Sequence, residues 1–298
     1  MKTLINITLA ASLSALTAQG ATLVQELNAD DITAVTNGST WTARTGANAT
    51  LNDNSAVGGS ADLSKDPATV NGGATSSVFA NTLSTGAYGN AAQMGAWLPA
   101  LSGTTVSIEL WISPLFSGAP ANSQTIFETG GNASGMSITL GDNGDGDSLN
   151  NNLRFALRAS GATTFVDYNF DAAAMTAFTD GNHHQLVVTY DNASNMLIYI
   201  DGAQVASRGD AGSGIVWAGG SEAGIWGTDG SGWITTDTLD ADGKGHGSVA
   251  VFRHYSDVLT GAEVLQNYAS TIPIPEPGTT ALLAGCFALT SVMIRRRR

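Results

Sequence analysis

Residues 182–191 have the sequence NHHQLVVTYD and residues 197–202 have the sequence LIYIDG, and these two stretches decide the fold. Both are rich in the β-branched and aromatic residues that favour strands. Turn-forming residues occupy 191–195, and Asp201-Gly202 is a two-residue hairpin signal. The sequence therefore predicts three consecutive antiparallel strands, at residues 185–190, 196–200 and 203–207.

Further strands are predicted on both sides of this hairpin. In residues 105–112 an apolar set that includes Val106 and Ile108 faces one way, and a set that includes Glu109 and Trp111 faces the other. Residues 152–159 alternate in the same way, with Arg154 and Arg158 outward. Strands are also predicted at residues 136–140, 163–170 and 249–255.

One short helix is predicted, at residues 260–269. Thr260 and Glu263 have the capping-box spacing, and Val264, Leu265 and Tyr268 supply an apolar face. Many strands separated by turn residues, with one short C-terminal helix, predict an all-β fold, an antiparallel β-sandwich or jelly roll.

The predicted hairpin resembles the core hairpin of laminin-G-like domains, which belong to the concanavalin A-like lectin/glucanase sandwiches. Residues 106–114 are similar to the family's earlier strand and residues 249–268 to its closing strand and helix, so the resemblance covers residues 100–270. Asn182 departs from the family pattern, which usually has Trp before the paired histidines. Residues 21–100 fit only by position. The resemblance implies a concanavalin A-like sandwich over residues 21–270.

The net charge of this domain limits the classes of partner that it can bind. Between Glu26 and Glu263 stand 7 basic and 24 acidic residues, a net charge near −17. So acidic a surface repels phosphate backbones, and we expect no nucleic-acid partner. It suits calcium or neutral glycans, or it serves only to keep the protein dispersed. The one cysteine, Cys286, lies outside the domain, which therefore has neither a disulfide nor a thiol nucleophile.

Some glucanases of this superfamily carry a Glu-x-Asp-x-x-Glu strand, in which two carboxylates act as acid and nucleophile. Around Glu109 the later positions hold Trp111 and Pro114 instead. A lone carboxylate cannot perform both roles, so we predict no enzyme activity and interpret Glu109 as an outward surface residue. In laminin-G-like domains the residues equivalent to His183 and His184 are mainly structural.

Residues 141–147, GDNGDGD, are the densest carboxylate cluster. Hard oxygen ligands on a glycine-rich loop suit calcium, which makes Asp142, Asn143, Asp145 and Asp147 candidate ligands and calcium the candidate cofactor. The EF-hand pattern fails here, and the alternative is a plain loop between two strands.

Three tryptophans, Trp217, Trp226 and Trp233, lie in or beside a glycine-rich stretch. On exposed loops their rings could stack on sugar faces, which makes them candidate ligand-binding residues. The alternative is that they fill the sandwich core, and we expect this of at least two of them.

Both ends of the chain are typical of targeting segments. Lys2, the apolar residues 4–16 and small residues before a cleavage after Gly20 predict a signal peptide over residues 1–20. After a linker at 271–274, residues 275–298 combine Pro275-Glu276-Pro277, an uncharged stretch at 278–294 and Arg295, Arg296, Arg297 and Arg298. The stretch is long enough for a transmembrane helix, and the arginines favour the cytoplasmic side.

This three-part tail resembles the PEP-CTERM sorting signal of Gram-negative bacteria. The resemblance implies processing by an exosortase, membrane anchoring through residues 278–294 before processing, and delivery to the cell surface or extracellular matrix. The alternative is a plain single-pass anchor.

Together these features predict an exported, non-catalytic protein that binds carbohydrate, such as exopolysaccharide. Two alternatives stay open: a glycoside hydrolase or polysaccharide lyase with an unrecognised site, and an architectural protein of the matrix or biofilm.

Overall fold

The computed structural model describes most of the predicted domain. The described residues are 20–36, 38–52, 63–70, 73–80, 95–99, 102–114, 124–131, 134–141, 151–160, 162–218, 222–226 and 247–270. The predicted signal peptide, apart from Gly20, and the predicted linker and sorting tail lie outside them.

The hairpin that decides the fold forms as predicted. Three antiparallel strands follow one another: β14 (His184–Tyr190), β15 (Met196–Ile200) and β16 (Ala203–Arg208). Asp201 and Gly202 both have positive φ, 50° and 79°, which is the two-residue turn whose twist matches a hairpin. The local sequence signal and the observed register therefore agree.

The other described strands are also antiparallel. In chain order they are β1 (Leu23–Asn28), β2 (Thr40–Trp41), β3 (Ala43–Thr45), β4 (Ala49–Asn52), β5 (Leu63–Val70), β6 (Gly73–Ala80), β7 (Gly95–Pro99), β8 (Ser102–Gly103), β9 (Val106–Pro114), β10 (Gln124–Gly131), β11 (Ser134–Gly141), β12 (Asn152–Ala159), β13 (Ala162–Asn169), β17 (Trp217–Ala218), β18 (Glu222–Ile225) and β19 (Gly247–Tyr255).

The strands form two large sheets. The first has the order β16-β15-β14-β9-β19-β1-β3, with β6 pairing β19 and β5 pairing β6. The second has the order β13-β12-β11-β10-β18-β7-β4-β2, and β8 pairs β17 separately. Strands distant in sequence are neighbours in both sheets, as in β9 beside β19, so most of the order depends on long-range contacts.

The core lies between the two sheets. In β9, β11 and β12 every second residue contributes to it, as the alternation in these strands predicts. Phe127 of the second sheet stacks on Phe252 of the first, with ring centroids 5.8 Å apart. This apolar layer accounts for the sandwich, because each sheet buries one face against the other.

The predicted C-terminal helix, α2 (Gly261–Ala269), is confirmed together with its capping box. Thr260 Oγ1 accepts from the Glu263 backbone N–H, and the Glu263 carboxylate accepts from the Thr260 backbone N–H at 2.7 Å. The helix packs on the outer face of the first sheet, where Tyr268 stacks on Trp111 with centroids 5.9 Å apart and rings nearly parallel.

A second helix, α1 (Ala172–Phe178), was not predicted. Asp171 caps it by accepting the Ala174 backbone N–H at 2.8 Å, and Phe178 anchors it by packing on Phe170. The helix has only seven residues and no glutamate to complete a capping box, so its stability comes from the packing of Phe178 rather than from its local sequence.

Among the described residues, no helix has the length and apolar character needed to cross a bilayer. The predicted transmembrane segment at 278–294 lies outside these residues.

A substitution at Gly202 tests whether the hairpin turn packs against α2. A Cβ at this position would approach the Leu265 side chain at 3.0 Å and Tyr268 at 3.2 Å, in addition to straining a backbone with φ of 79°. We expect Gly202→Ala to destabilise the protein by more than the ~1 kcal/mol typical of alanine in such a backbone.

Gly38 provides the matched control, because its φ is also 79° but a Cβ there would meet no described atom within 4 Å. Urea denaturation of both variants separates strain from steric clash. Equal loss of stability in the two variants would contradict the packing of α2 against this turn.

Candidate functional site

Glu109 is the carboxylate in the stretch of sequence nearest to the glucanase motif, and the structure corrects its interpretation as a surface residue. It does face outward from the first sheet, on β9 between Val187 of β14 and Arg253 of β19. However, the residue has no exposed surface, because α2 covers this part of the sheet.

Five side-chain donors surround the Glu109 carboxylate. They come from three adjacent strands and from α2, so the carboxylate connects four elements. Oε1 accepts from Trp111 Nε1 at 3.0 Å, Gln185 Nε2 at 2.8 Å and Arg253 Nη1 at 3.3 Å, and Oε2 accepts from Tyr255 OH at 3.0 Å and Asn267 Nδ2 at 2.9 Å.

This network suits a structural role and is incompatible with hydrolysis by Glu109. Arg253 compensates the buried charge and also contacts Glu26 at 3.4 Å. Burial alone would lower the pKa of Arg253, but the nearby Glu109 carboxylate raises it overall, so the guanidinium stays charged. A carboxylate saturated by donors and closed to solvent cannot reach a glycosidic oxygen.

The paired histidines also have local partners. His184 Nδ1 lies 2.7 Å from Asp201 Oδ2, and its Nε2 lies 3.3 Å from Asp180 Oδ1. Burial lowers the pKa of His184, but these carboxylates raise it above the ordinary value overall. Burial lowers the pKa of His183 to about 4, and its neutral ring shares a 2.9 Å hydrogen bond with Ser248 Oγ. Both rings therefore link β14 to neighbouring segments.

Two of the three candidate tryptophans are buried, which confirms the expectation that at least two of them fill the core and corrects the assignment of these two as ligand-binding residues. Trp217 and Trp226 lie in the core between the sheets with 0% and 1% of their surface exposed, so no ligand can stack on either ring. Trp217 instead contacts the His254 ring edge-to-face. Trp233 lies outside the described residues.

The candidate calcium ligands at 142, 143, 145 and 147 also lie outside the described residues. Within the part of the chain that the structure describes, no group of three or more His, Cys, Asp or Glu residues is arranged to hold a metal ion. Calcium binding stays a prediction.

Polar side chains form a row across the outward face of the second sheet. The alternation of residues along the sequence predicted only part of this row. Thr125, Thr139, Arg154 and Asp167 are paired in register across β10, β11, β12 and β13. Thr125 and Thr139 have almost no exposed surface, and Thr125 Oγ1 has no hydrogen-bond partner among the described residues. Exposure increases toward β13, where Asp167 is partly accessible.

Five residues at this accessible margin form what we call the edge cluster: Arg154, Phe165, Asp167, Arg208 and Asp210. Arg154 donates from Nε and Nη2 to the two carboxylate oxygens of Asp167, at 2.7 and 2.8 Å. The Arg154 guanidinium also lies 3.9 Å from the centroid of the Phe165 ring.

Arg208 joins the cluster from the other sheet. It donates from Nη1 to the Phe165 carbonyl oxygen and from Nε to Asp210 Oδ1, both at 2.8 Å. The hydrogen bond from Arg208 holds the pKa of Asp210 below its ordinary value, so that carboxylate stays ionised. The cluster thus combines a partly exposed aromatic ring with planar donors and acceptors, which can bind hydroxyl groups.

Sequence reasoning found only part of this cluster. Arg154 was identified as outward-facing from the alternation in its strand. Arg208 and Phe165 are 43 residues apart, and only the contact between the two sheet edges brings them together.

Two antiparallel sheets around one apolar core, with a polar outer face, define a β-sandwich of the lectin and glucanase class. The chain belongs to the Laminin_G_3 family, described as the concanavalin A-like lectin/glucanases superfamily, whose model matches residues 84–265. No curated protein has significant sequence similarity to the chain.

Several solved structures are similar to the chain. The binding domain of Paraclostridial Mosquitocidal Protein 1 is 12% identical with a TM-score of 0.49, and the match covers 83% of this chain and 52% of that one. A structure of botulinum neurotoxin type C, whose cell entry depends on interaction with two ganglioside molecules, is 14% identical with a TM-score of 0.48, and the match covers 83% of this chain and 50% of that one. A SAP-like pentraxin from Limulus polyphemus is 16% identical with a TM-score of 0.38, covering 58% and 72%. The chain spans about half the length of the toxin domains.

Glu109→Gln tests the buried network. The amide keeps the shape of the side chain but removes the negative charge that compensates Arg253. It also places an NH₂ group, itself a donor, against side chains that donate to the carboxylate. We expect a loss of about 3–5 kcal/mol in the free energy of unfolding, as for other broken buried ion pairs.

Asp31→Asn is the matched control. Asp31 pairs with Arg44 at 2.7 Å, but both side chains are about one-third exposed, and such a pair contributes only about 0–1 kcal/mol. Denaturant unfolding compares the two variants. A Glu109→Gln protein as stable as the control would show that the carboxylate does not hold the elements together.

Proposed function

We propose that the protein is an exported, non-catalytic carbohydrate-binding protein of the cell surface or extracellular matrix. The observation that carries this proposal is the burial of Glu109 within five side-chain donors, since the carboxylate nearest to the glucanase motif serves the fold instead. Membership of a lectin/glucanase family supports the proposal, because carbohydrate binding does not require the pair of catalytic carboxylates that hydrolysis requires.

The net charge and the edge cluster favour carbohydrate over other partners. A domain with a net charge near −17 repels nucleic acid. The edge cluster offers both hydrogen-bonding groups and an aromatic surface, which sugars require because their rings have polar edges and apolar faces.

Binding and turnover can be measured on the same polysaccharides. The full-length protein, purified in mild detergent, is incubated with insoluble and soluble polysaccharides, once with calcium and once with a chelator. We expect retention without release of reducing ends or unsaturated sugars. Loss of retention in chelator would support calcium at residues 142–147, and unchanged retention would exclude it.

Two outcomes would contradict the proposal. Turnover that disappears when one carboxylate is replaced would make the protein a hydrolase or lyase. Absence of both retention and turnover would favour an architectural role, which altered biofilm or envelope morphology after gene deletion would support.

For its location, we propose that residues 1–20 direct export and that residues 275–298 are a PEP-CTERM signal, processed by an exosortase in a Gram-negative bacterium. The tail supports this with the Pro-Glu-Pro box, an uncharged stretch of membrane-spanning length and four terminal arginines. The membrane helix at 278–294 would anchor the protein until it is processed.

Replacing Pro275, Glu276 and Pro277 by alanine tests this proposal in an exosortase-bearing host. We expect the variant to remain uncleaved in the inner membrane, whereas the unaltered protein is shortened and reaches the surface. The control replaces Thr279 and Thr280 by alanine, which leaves the box and the charges unchanged. Identical size and fractionation of the box variant and the unaltered protein would exclude exosortase processing at this tail.

A further inference from the structure

We infer that the edge cluster is the sugar-binding site and that its ligand is an uncharged pyranose unit of a polysaccharide. This inference rests on the proposed carbohydrate-binding function and adds a location and a ligand class. It is carried by the geometry of Arg154, Phe165, Asp167, Arg208 and Asp210 around the exposed edge of the second sheet.

Exposure places the site at the edge rather than at the centre of the sheet. The polar row is closed to solvent at Thr125 and Thr139. At the edge, the side chains of Asp167 and Arg208 are 23% and 32% exposed, and that of Asp210 is 84% exposed. A polysaccharide chain can therefore contact the edge cluster without any rearrangement of the central strands.

The aromatic ring at this edge is held in place before a ligand binds. The Arg154 guanidinium packs 3.9 Å from the Phe165 centroid and is itself fixed by two hydrogen bonds to Asp167. The Arg208 guanidinium also lies 5.7 Å from the Phe165 centroid, and Phe165 as a residue is half-buried rather than enclosed in the core. A fixed ring loses little conformational entropy when the apolar face of a sugar packs on it.

Two hydrogen-bonding groups of the cluster, the Arg208 guanidinium and the Asp167 carboxylate, are not saturated. A guanidinium has five N–H donors, and the described partners of Arg208 use two of them, one on Nε and one on Nη1. The Asp167 carboxylate accepts two hydrogen bonds from Arg154, which leaves acceptor capacity on both oxygens. Arg208 and Asp167 can thus bind neighbouring sugar hydroxyls, one group donating and the other accepting.

The charge balance of the cluster favours an uncharged sugar. The formal charges of the two arginines and two aspartates cancel, so the cluster itself has no excess positive charge to attract a carboxylate or sulfate group. The surrounding domain, with a net charge near −17, repels polyanions. Neutral hydroxyl groups match both the local and the overall charge.

Affinity electrophoresis of the full-length protein tests the inference. Native gels contain one neutral polysaccharide each (dextran, mannan, β-glucan or galactan) or one anionic polysaccharide (alginate or polygalacturonate). We expect retardation by at least one neutral polymer. Arg208→Gln and Phe165→Ala should weaken that binding at least about tenfold, as expected when hydrogen bonds to a charged group or an aromatic contact are lost.

Arg44→Gln is the matched control, since Arg44 is 34% exposed and donates from Nε to an aspartate in the same way as Arg208 but lies outside the cluster. Thermal unfolding checks that each variant remains folded. A folded Arg208→Gln and a folded Phe165→Ala protein that both bind like Arg44→Gln would place the sugar elsewhere and leave the proposed function intact.

The other outcomes are also decisive. Retardation by anionic polymers alone would overturn the ligand class. Retardation by no polysaccharide would overturn the proposed function itself, together with this inference.

Discussion

The Glu109 carboxylate is the contact on which the first sheet and α2 depend. Removing a carboxylate from water costs several kcal/mol unless nearly every lone pair is satisfied and the charge is compensated. Here the compensation requires Arg253 on β19, Gln185 on β14 and Asn267 on α2 to be in place together. The strand order and the docking of the helix are thus coupled, because displacing either one leaves a charge buried without its partners.

This coupling also determines which surface of the sandwich is available for function. The outer face of the first sheet is covered by α2 around Glu109, and this carboxylate is used to hold the sheet and the helix together. Accessible polar chemistry remains at the edge of the second sheet, where Arg154 and Asp167 pair next to Phe165. The buried pair and the edge cluster therefore lie on different faces of the sandwich, and of the two only the edge cluster is open to solvent.

Local patterns predicted the parts of this structure that depend on neighbouring residues. The Asp201-Gly202 turn and the Thr260–Glu263 capping box both form, because each is determined within a few residues. The alternation around Glu109 gave its orientation correctly but not its burial, since the covering residue Asn267 is 158 positions away. Arg208 in the edge cluster escaped prediction for the same reason. The spacing of apolar residues and the strand propensity of a segment predict which way a side chain points. Tertiary contacts determine which groups that side chain contacts.

Two arginine–carboxylate pairs illustrate how burial assigns different roles to the same chemistry. Arg253 and Glu109 lie beneath a helix and closed to solvent, so the partners of the Glu109 carboxylate all come from the protein itself, which favours rigidity. Arg154 and Asp167 lie at a sheet edge, where the carboxylate is partly exposed and keeps acceptor capacity toward solvent. Because a hydroxyl-bearing ligand could reach the second pair but not the first, exposure rather than residue type separates the pair proposed for recognition from the structural one.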